Sequence, residues 1–308
     1  MFSIIFPGQG SQIIGMAKEF FDNFKYVKDY FFLADEILEK KISKIILDGP
    51  KEALDQTENT QPAIFLVSYC IFNLLKEKNE EIFTNAKYFA GHSLGEYTAL
   101  TCSGSLEFSD TLKILKKRGN AMQSAVPNGT GGMLAILNSN YETIYNILED
   151  NKNVFECYIA NDNSNSQIVV SGFLESIDKL SSHLKTLKIK NLRIPVSSPF
   201  HCKLMNKATK LMETEIKKLN FNDPKIPIVS NVTANTAQNS LDYSELMIKQ
   251  IEHRVRWRES IQFMAKNNVN KFIEIGPGKV LSNLIKRIDT NFEIVNISSI
   301  DHLEGFKI

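Results

Sequence analysis

A serine flanked by glycines is the residue of this sequence best suited to covalent chemistry. Residues 91–95 read Gly-His-Ser-Leu-Gly and follow a short apolar run at 88–90, where a strand is expected to end and a helix to begin. The G-x-S-x-G spacing is typical of a sharp strand-to-helix turn, in which small residues on both sides of the serine relieve crowding. A hydroxyl held there can attack a carbonyl, and backbone N–H groups of the turn can stabilise the resulting oxyanion. The pattern therefore predicts Ser93 as a nucleophile.

Such a serine needs a base, and His201 is the best candidate among the five histidines. It follows Ser-Pro-Phe at a predicted junction between two domains, and junction loops often carry site residues. His92 is a poor base, because side chains of adjacent residues in such a turn point apart. The alternative is that His201 only caps or packs at a helix start. The third member of a triad is open, since either a carboxylate or a backbone carbonyl could orient the imidazole.

An arginine stands on the apolar side of a predicted helix that runs from Ser109 to about Gln123. At 3.6 residues per turn, Arg118 falls in the middle of the apolar stripe, opposite the lysines. A guanidinium that faces inward stays charged, so it needs an anionic or hydrogen-bonding partner there. One interpretation is an internal salt bridge, and the other is an arginine reserved for a substrate carboxylate.

Two glycine-rich turns do not fit nucleotide-binding loops. The loop at 6–12, Phe-Pro-Gly-Gln-Gly-Ser-Gln, lacks both the G-x-G-x-x-G spacing of a dinucleotide site and the lysine of a phosphate loop. The turn at 276–279 has neither the upstream glycine spacing nor a Ser or Thr after the lysine, so we interpret it as a tight strand-to-helix turn. The first loop could instead supply an oxyanion donor through the backbone or side chain of Gln9.

The element pattern that must position these residues changes character along the chain. Strands alternating with helices in both terminal parts predict a mostly parallel, doubly wound sheet. Between them, a turn-rich linker at 125–132 precedes a β-α-β-β-α-β order, which is the ferredoxin-like pattern. We therefore predict a large α/β domain at 1–124 and 198–308, with a small α+β domain inserted at 125–197. The predicted elements of the large domain include strands at 2–6, 87–90, 226–230 and 271–275 and helices at 27–40, 61–77, 202–219, 242–251, 257–267 and 279–288.

Composition excludes several classes of function. The chain has 308 residues and a net charge of +1, so no global field marks a nucleic-acid or membrane binder. The longest apolar stretch, residues 62–75, is short of the ~20 residues that span a bilayer, and we interpret it as a buried helix. Four scattered cysteines indicate free thiols rather than a disulfide framework or a zinc site. No signal peptide is visible, so we expect a cytoplasmic protein, with an organelle matrix as the open alternative.

Taken together, these residues resemble the malonyl-CoA:acyl carrier protein transacylase family of fatty-acid synthesis, which is similar to the acyltransferase domains of polyketide synthases. One G-x-S-x-G alone is weak, but the ordered set of matches is specific and runs along almost the whole chain. The matching segments are Phe6 to Gln12, Thr60-Gln61-Pro62-Ala63, Gly91 to Tyr97, Arg118-Gly119, Met122-Gln123, Pro199-Phe200-His201-Cys202, Gln250, and Glu274 to Leu281.

The resemblance implies a role for each matching residue. Ser93 would be the nucleophile of a two-step transfer and His201 its base, oriented by the carbonyl of Gln250. Arg118 would bind the malonyl carboxylate, and Gln9 with the N–H of Leu94 would form the oxyanion hole. Gln61 would lie one layer behind the residues that touch the substrate. Phe200 resembles the malonyl-preferring form of the family, in which a bulky residue disfavours branched acyl groups.

The resemblance also implies the fold, the partners and the cofactors. The family fold combines a hydrolase-like large domain with a ferredoxin-like small one. The substrates would be malonyl-CoA and acyl carrier protein, with no metal and no cofactor beyond the coenzyme A thioester, and we expect a monomer. Because carrier proteins are usually acidic, a basic surface formed by Arg254, Arg256, Arg258 and Lys203 is a candidate docking site, with ordinary solvated charges as the alternative.

The sequence departs from the family pattern at three places. His253-Arg254 stands where family members frequently have Asn-Pro, which could alter the loop that presents Gln250. Asn165-Ser166 lacks the proline that frequently follows it in the family, and the position of Cys202 is often serine.

Two other functions compete with the transacylase. An esterase or thioesterase would share Ser93 and His201 but leaves an inward Arg118 unexplained. A non-catalytic docking protein would not need the three together.

Overall fold

The protein is described by a computed structural model over residues 1–196 and 198–306. Residue 197, with which the predicted small domain ends, and residues 307–308 lie outside the described part.

Along the described chain, one or more helices separate successive strands, except that β4 is followed directly by β5. The strands are β1 (Phe2–Phe6), β2 (Phe89–Gly91), β3 (Gly131–Leu137), β4 (Cys157–Ser164), β5 (Gln167–Phe173), β6 (Asn191–Ile194), β7 (Ile228–Val229), β8 (Lys271–Ile275) and β9 (Glu293–Ile297). The helices are α1 (Lys18–Asn23), α2 (Lys25–Leu38), α3 (Ile42–Asp48), α4 (Lys51–Leu54), α5 (Thr57–Lys78), α6 (Glu81–Thr84), α7 (Leu94–Cys102), α8 (Phe108–Gln123), α9 (Tyr141–Asp150), α10 (Leu174–Thr186), α11 (Asn206–Ile216), α12 (Ser240–Lys249), α13 (Trp257–Lys266), α14 (Val280–Lys286) and α15 (Ile300–Gly305).

A parallel sheet of strand order β7-β2-β1-β8-β9 forms the centre of the larger part. The strand β1 is buried along its whole length. Its side chains alternate between two cores: Ile4 and Phe6 pack into the larger cluster, and Ile5 packs into a second cluster with Trp257. A strand with both faces covered is expected to be apolar on both faces, and β1 is apolar except for Ser3. The predicted parallel α/β sheet is therefore present.

A separate antiparallel sheet of order β4-β5-β3-β6 lies between the two halves of the parallel one in sequence. Helices α9 and α10 contribute Ile144, Ile177 and Leu180 to a core with the sheet residues Leu134 and Ile168. The chain therefore follows the predicted β-α-β-β-α-β order through this part. Its strand β4 also reaches the larger part, because Val255 exchanges backbone hydrogen bonds with the β4 residues Ala160 and Asp162.

Several elements differ from the sequence-based expectation. The helix expected at 202–219 is a 3₁₀ turn (Lys203–Met205) followed by α11. Strand β9 was not expected; it is an edge strand with mostly half-buried residues, so its apolar alternation is weak. Helices α1, α3, α4, α6 and α15 were also missed, since segments of four to seven residues show no full amphipathic period.

The apolar stretch at 62–75 forms the middle of α5, whose residues are mostly buried, as expected. Within residues 1–196 and 198–306, we find no helix that combines the length and the apolar character needed to cross a bilayer.

Candidate active site

Ser93 stands at the turn between β2 and α7, as its spacing predicts. Its backbone has φ 54° and ψ −111°, a sparsely populated conformation for a residue with a side chain. The flanking glycines are required by close approach: a Cβ on Gly91 would lie 1.9 Å from the carbonyl oxygen of Gly95, and one on Gly95 would lie 2.3 Å from that of Phe6. The turn is thus pressed against the end of β1, and this contact aims the serine into the cavity.

His201 meets Ser93 from 108 residues further along the chain. Its Nε2 lies 2.8 Å from Ser93 Oγ, and its Nδ1 lies 2.8 Å from the backbone oxygen of Gln250. A carbonyl can only accept, so Nδ1 carries the proton and Nε2 is left to accept from the serine hydroxyl. Burial, reinforced by the nearby cation of Arg118, lowers the pKa of His201 to about 3. The imidazole is therefore neutral near pH 7, and a backbone carbonyl takes the place that a carboxylate has in many triads.

The side chain of Arg118 is directed inward and is 1% exposed. One terminal nitrogen donates to Gln61 Oε1 at 2.8 Å; the other donates to Gln250 Oε1 at 2.8 Å and to Ser93 Oγ at 3.2 Å. Its Nε has no hydrogen-bond partner among the described residues. Amide and hydroxyl oxygens accept the hydrogen bonds of this cation and the Tyr97 ring lies 5.5 Å from its Cζ, whereas no carboxylate pairs with it in the described part of the chain. The guanidinium therefore keeps capacity for an incoming anion.

A cavity of about 450 Å³ opens beside the serine. It is lined by six of the seven residues predicted for the site, which are Ser93, His201, Arg118, Gln9, Leu94 and Gln61. The seventh, Gln250, is fully buried behind His201 and touches the cavity residues from the rear. The unusual His253-Arg254 sequence does not prevent the preceding loop from presenting the Gln250 carbonyl.

Two site residues were missed by the sequence analysis, Asn231 and Glu96. Asn231 donates to the carbonyl of Gly91 at 2.7 Å and accepts from the N–H of Ser93 at 2.7 Å, so it clamps both sides of the turn. Glu96 accepts from the backbone N–H of Asn231 at 3.1 Å and from Gln250 Nε2 at 2.7 Å. The available signals were a polar residue just after β7, at the carboxyl edge of the sheet, and a lone acid in the apolar helix α7.

His92 also lines the cavity, but its ring pairs with Asn163 rather than with the Ser93 hydroxyl. His92 Nε2 lies 2.8 Å from Asn163 Oδ1. His253 is exposed, as expected for a loop residue among charges.

The four cations considered for docking are all paired within the chain. Arg254 and Arg256 both contact Glu259, Arg258 makes two hydrogen bonds to Asp162 at 3.0 and 2.8 Å, and Lys203 contacts Glu156 at 2.8 Å. These four cations share three carboxylates, which weakens the field that they offer to an acidic partner; the docking surface stays a prediction beside the alternative of ordinary structural and solvated charges.

Comparison with known proteins agrees with this geometry. The sequence matches the model of the acyl transferase domain family over residues 3–299. The malonyl CoA-acyl carrier protein transacylase of Bacillus subtilis is 37% identical over 306 residues, which cover 98% of this chain and 95% of that protein. The enzyme of that name from Salmonella typhimurium is 35% identical over 288 residues, 93% of this chain and 92% of its own length.

Solved structures show the same likeness. An acyl-carrier-protein S-malonyltransferase from Bartonella henselae superposes with a TM-score of 0.95 at 35% identity, covering 98% of this chain and 97% of that one. A malonyl-transacylase in complex with a type II PKS acyl-carrier protein gives a TM-score of 0.94 at 32% identity, covering 98% and 97%. With the serine turn, the imidazole and the inward arginine in one cavity, the chain belongs to the acyl transferase domain family and, within it, to the malonyl CoA-acyl carrier protein transacylases.

Proposed function

We propose that this protein moves a malonyl group from coenzyme A to the phosphopantetheine thiol of acyl carrier protein, for fatty-acid synthesis. The observation that carries the proposal is the guanidinium of Arg118, 3.2 Å from the hydroxyl of Ser93 in the same cavity. A cation beside a nucleophile suits an acyl group that carries a carboxylate. An esterase for neutral substrates gains nothing from this buried charge.

In the first step, Ser93 Oγ attacks the thioester carbonyl of malonyl-CoA while its proton passes to His201 Nε2. The carbon–sulfur bond breaks, the proton on His201 goes to the departing coenzyme A thiol, and a malonyl-serine ester remains. The Gln250 carbonyl stabilises the imidazolium that forms in between, through its 2.8 Å contact with Nδ1. The backbone N–H of Leu94 and a donor from Gln9 stabilise the oxyanion, since both residues line the cavity next to Ser93.

In the second step, the phosphopantetheine thiol gives its proton to His201 and attacks the ester carbonyl. The carbon–oxygen bond to Ser93 breaks, and the serine oxygen recovers its proton from His201. Water must be kept from this position, because hydrolysis of the ester would discard the malonyl group. No resident cofactor or metal is required, since the chain itself supplies nucleophile, base and oxyanion donors.

Substrate choice belongs to the same proposal. Arg118 holds the malonyl carboxylate, and Gln61, which also lines the cavity, fixes Arg118 through its 2.8 Å contact. Phe200 lines the cavity beside His201 and favours an unbranched acyl group by its bulk.

We also propose the domain boundaries, the oligomeric state and the compartment. The chain has a hydrolase-like domain at 1–124 and 198–308 and a ferredoxin-like insert at 125–197. The insert is supported by its strand order β4-β5-β3-β6. We further propose a cytoplasmic monomer, in keeping with the four free cysteines.

Mass spectrometry of the acyl-enzyme tests the function. After incubation with malonyl-CoA, we expect a malonyl ester on the peptide that contains Ser93, absent from Ser93→Ala and discharged by holo acyl carrier protein to malonyl carrier protein. Absence of the ester from the unaltered protein would refute the proposal. Discharge to free malonate with no transfer to the carrier would indicate a thioesterase.

Arg118→Ala tests the origin of the selectivity. A charge-assisted hydrogen bond contributes about 1.5–3 kcal/mol, so the preference for malonyl-CoA over acetyl-CoA should fall by roughly ten- to a hundredfold. The ratio of the two kcat/KM values measures this. An unchanged ratio would remove Arg118 from substrate recognition while leaving the role of Ser93 intact.

A further inference from the structure

Glu96 is a buried carboxylate that the transfer mechanism does not use. It lies in the first turn of α7, is 1% exposed, and does not line the cavity. One oxygen, Oε2, accepts the two hydrogen bonds from Asn231 and Gln250, and the side chain of Ser230 is a further polar neighbour of the carboxylate. Burying a carboxylate without a directly contacting cation costs folding free energy, even where hydrogen bonds offset part of that cost. The position therefore calls for a functional reason.

The amide of Gln250 connects this carboxylate to the substrate-binding cation. Its Nε2 donates to Glu96 at 2.7 Å and to the carbonyl of Ser93 at 3.0 Å, while its Oε1 accepts from Arg118 at 2.8 Å. The two ends of an amide have nearly the same shape, so surrounding donors and acceptors decide which way it points. A carboxylate only accepts, so Glu96, with the shorter of the two contacts, acts together with the Ser93 carbonyl to hold the NH₂ end and leaves the amide oxygen for Arg118.

The spacing of the charges serves the same purpose. Arg118 and Glu96 attract each other, but the Gln250 amide stands between them. A carboxylate in direct contact would occupy the N–H donors that an acyl carboxylate needs. A negative charge one amide away compensates the buried guanidinium and leaves those donors available.

We propose that Glu96 is a positioning residue for acyl selectivity: by fixing the orientation of the Gln250 amide, it holds the Arg118 guanidinium in the pose that receives the carboxylate of the acyl group. This inference rests on the proposed malonyl transfer. It predicts that loss of the negative charge at Glu96 harms malonyl-CoA far more than acetyl-CoA. The two substrates share coenzyme A, Ser93 and His201 and differ only in what Arg118 contacts.

The direct test is Glu96→Gln. A neutral amide can pair with Gln250 in either orientation, so the NH₂ end of Gln250 would turn toward Arg118 part of the time and displace it. We expect the ratio of kcat/KM for malonyl-CoA over acetyl-CoA to fall by about tenfold or more, whereas a merely structural defect would lower both values together. Burial raises the pKa of Glu96 to about 7, so the assays are run at about pH 8, where the carboxylate is ionised.

Coupling to Arg118 is tested in the double variant. When Glu96→Gln is added to Arg118→Ala, the ratio should change by less than about twofold, because the group on which Glu96 acts is gone. Gln250→Met is a second route to the same result, since it removes the amide but keeps the backbone carbonyl that holds His201. It should lower the ratio as Glu96→Gln does.

Asp35→Asn is the matched control. Asp35 is another buried carboxylate, which accepts from the N–H and hydroxyl of Ser43 at 2.8 and 2.7 Å and does not line the cavity. Its loss should lower the melting temperature and leave the substrate ratio unchanged.

Three outcomes would overturn the inference: an unchanged ratio in Glu96→Gln and Gln250→Met, equal losses for both substrates, or an undiminished effect of Glu96→Gln in the Arg118→Ala background. They are separable from failure of the proposed function, because that would already appear in the unaltered protein as a missing malonyl-serine ester.

Discussion

Ser93 is held in a strained backbone conformation while its hydroxyl touches both a neutral imidazole and a guanidinium. The hydroxyl donates to His201 and accepts from Arg118, so both contacts favour the same orientation of the O–H bond. The strain persists because Asn231 and the packing of the turn against β1 over-determine the backbone there. The chemistry at this scale depends on protonation states as much as on distances.

The protonation state of His201 leads to a prediction on pH dependence. Labelling of Ser93 by a neutral organophosphonate should keep a constant rate from about pH 8 to about pH 5.5. The reason is that burial and Arg118 lower the pKa of His201 to about 3, well below the ordinary value of about 6.5. Because the folded-state pKa is the lower one, the stability contribution of neutral His201 is complete above pH 6.5 and is lost as the pH falls from there toward 3.

The rate is measured by mass spectrometry at short times. Glu96→Gln serves as the control, because the pKa of Glu96 is raised to about 7 and its titration could also reach the site. An inflection near pH 6.5 that persists in Glu96→Gln would contradict the assignment of a buried, neutral base.

Helix positions at the site are set by close approach between α5 and α8. A Cβ on Gly119 would lie 2.5 Å from the backbone oxygen of Thr57 and 2.6 Å from Cα of Glu58. The two helices therefore touch backbone to backbone next to Arg118, and this contact brings Gln61 within 2.8 Å of the guanidinium. The packing of α8 against α5 also explains why Arg118 was predicted to face inward, because the apolar stripe of α8 faces α5.

Gly119→Ala should consequently damage substrate binding through the helix pair. The added methyl group forces α8 away from α5, at a cost of about 1–3 kcal/mol in unfolding free energy, and shifts Arg118 relative to Ser93. We expect KM for malonyl-CoA to rise by about tenfold or more, with a smaller change for acetyl-CoA. Steady-state kinetics and urea unfolding measure the two effects.

The control for this change is Asn120→Ala. Asn120 is the next residue of α8 and is exposed, so alanine there should leave both stability and KM nearly unchanged. Equal effects of the two substitutions would show that helix propensity, not the close approach, is responsible.

At the scale of the whole molecule, an ion pair joins helix α13 of the larger part to strand β4 of the antiparallel sheet, next to the cavity. Arg258 at the start of α13 makes two hydrogen bonds to Asp162 of β4, whose side chain is 0% exposed. Burial raises the pKa of Asp162 even though Arg258 opposes the shift, so the charge is costly to bury. The neighbouring β4 residues Asn161 and Asn163 line the cavity, and the pair thereby holds one wall of the site against the other.

Arg258→Met should destabilise the protein and loosen that wall. Removing one partner leaves Asp162 buried without its counter-charge, which typically costs about 3–5 kcal/mol, at the low end here because Arg258 is partly exposed. The loss in free energy of unfolding should grow as the pH rises through the raised pKa of Asp162, because the ionised carboxylate would then be buried without its counter-charge. Equilibrium unfolding in guanidinium chloride at two pH values measures this change in the free energy of unfolding.

Arg193→Met is the comparison. Arg193 pairs with Asp178 at the surface, where both side chains are at least 41% exposed, so its loss should cost less than about 1 kcal/mol. If the two substitutions lower the free energy of unfolding equally, the buried pair does not hold α13 against β4 more strongly than a surface pair would.

By itself, the sequence predicted the sharp turn at Ser93, the inward arginine and the order of the longer elements. Those properties are local: the glycines around Ser93 answer steric crowding within one turn, and the position of Arg118 follows from the helical period. It also indicated His201, while leaving its orienting group open.

Tertiary structure alone decided what each of these residues meets. The clamp by Asn231, the carboxylate of Glu96 and the pairing of Arg258 with Asp162 all join residues far apart in the chain. Such contacts depend on how two sheets and their helices pack, and no spacing within one segment encodes them. For the same reason a surface charge such as Arg258, which suggests a docking site in the sequence, proves to be an internal partner once the fold closes around it.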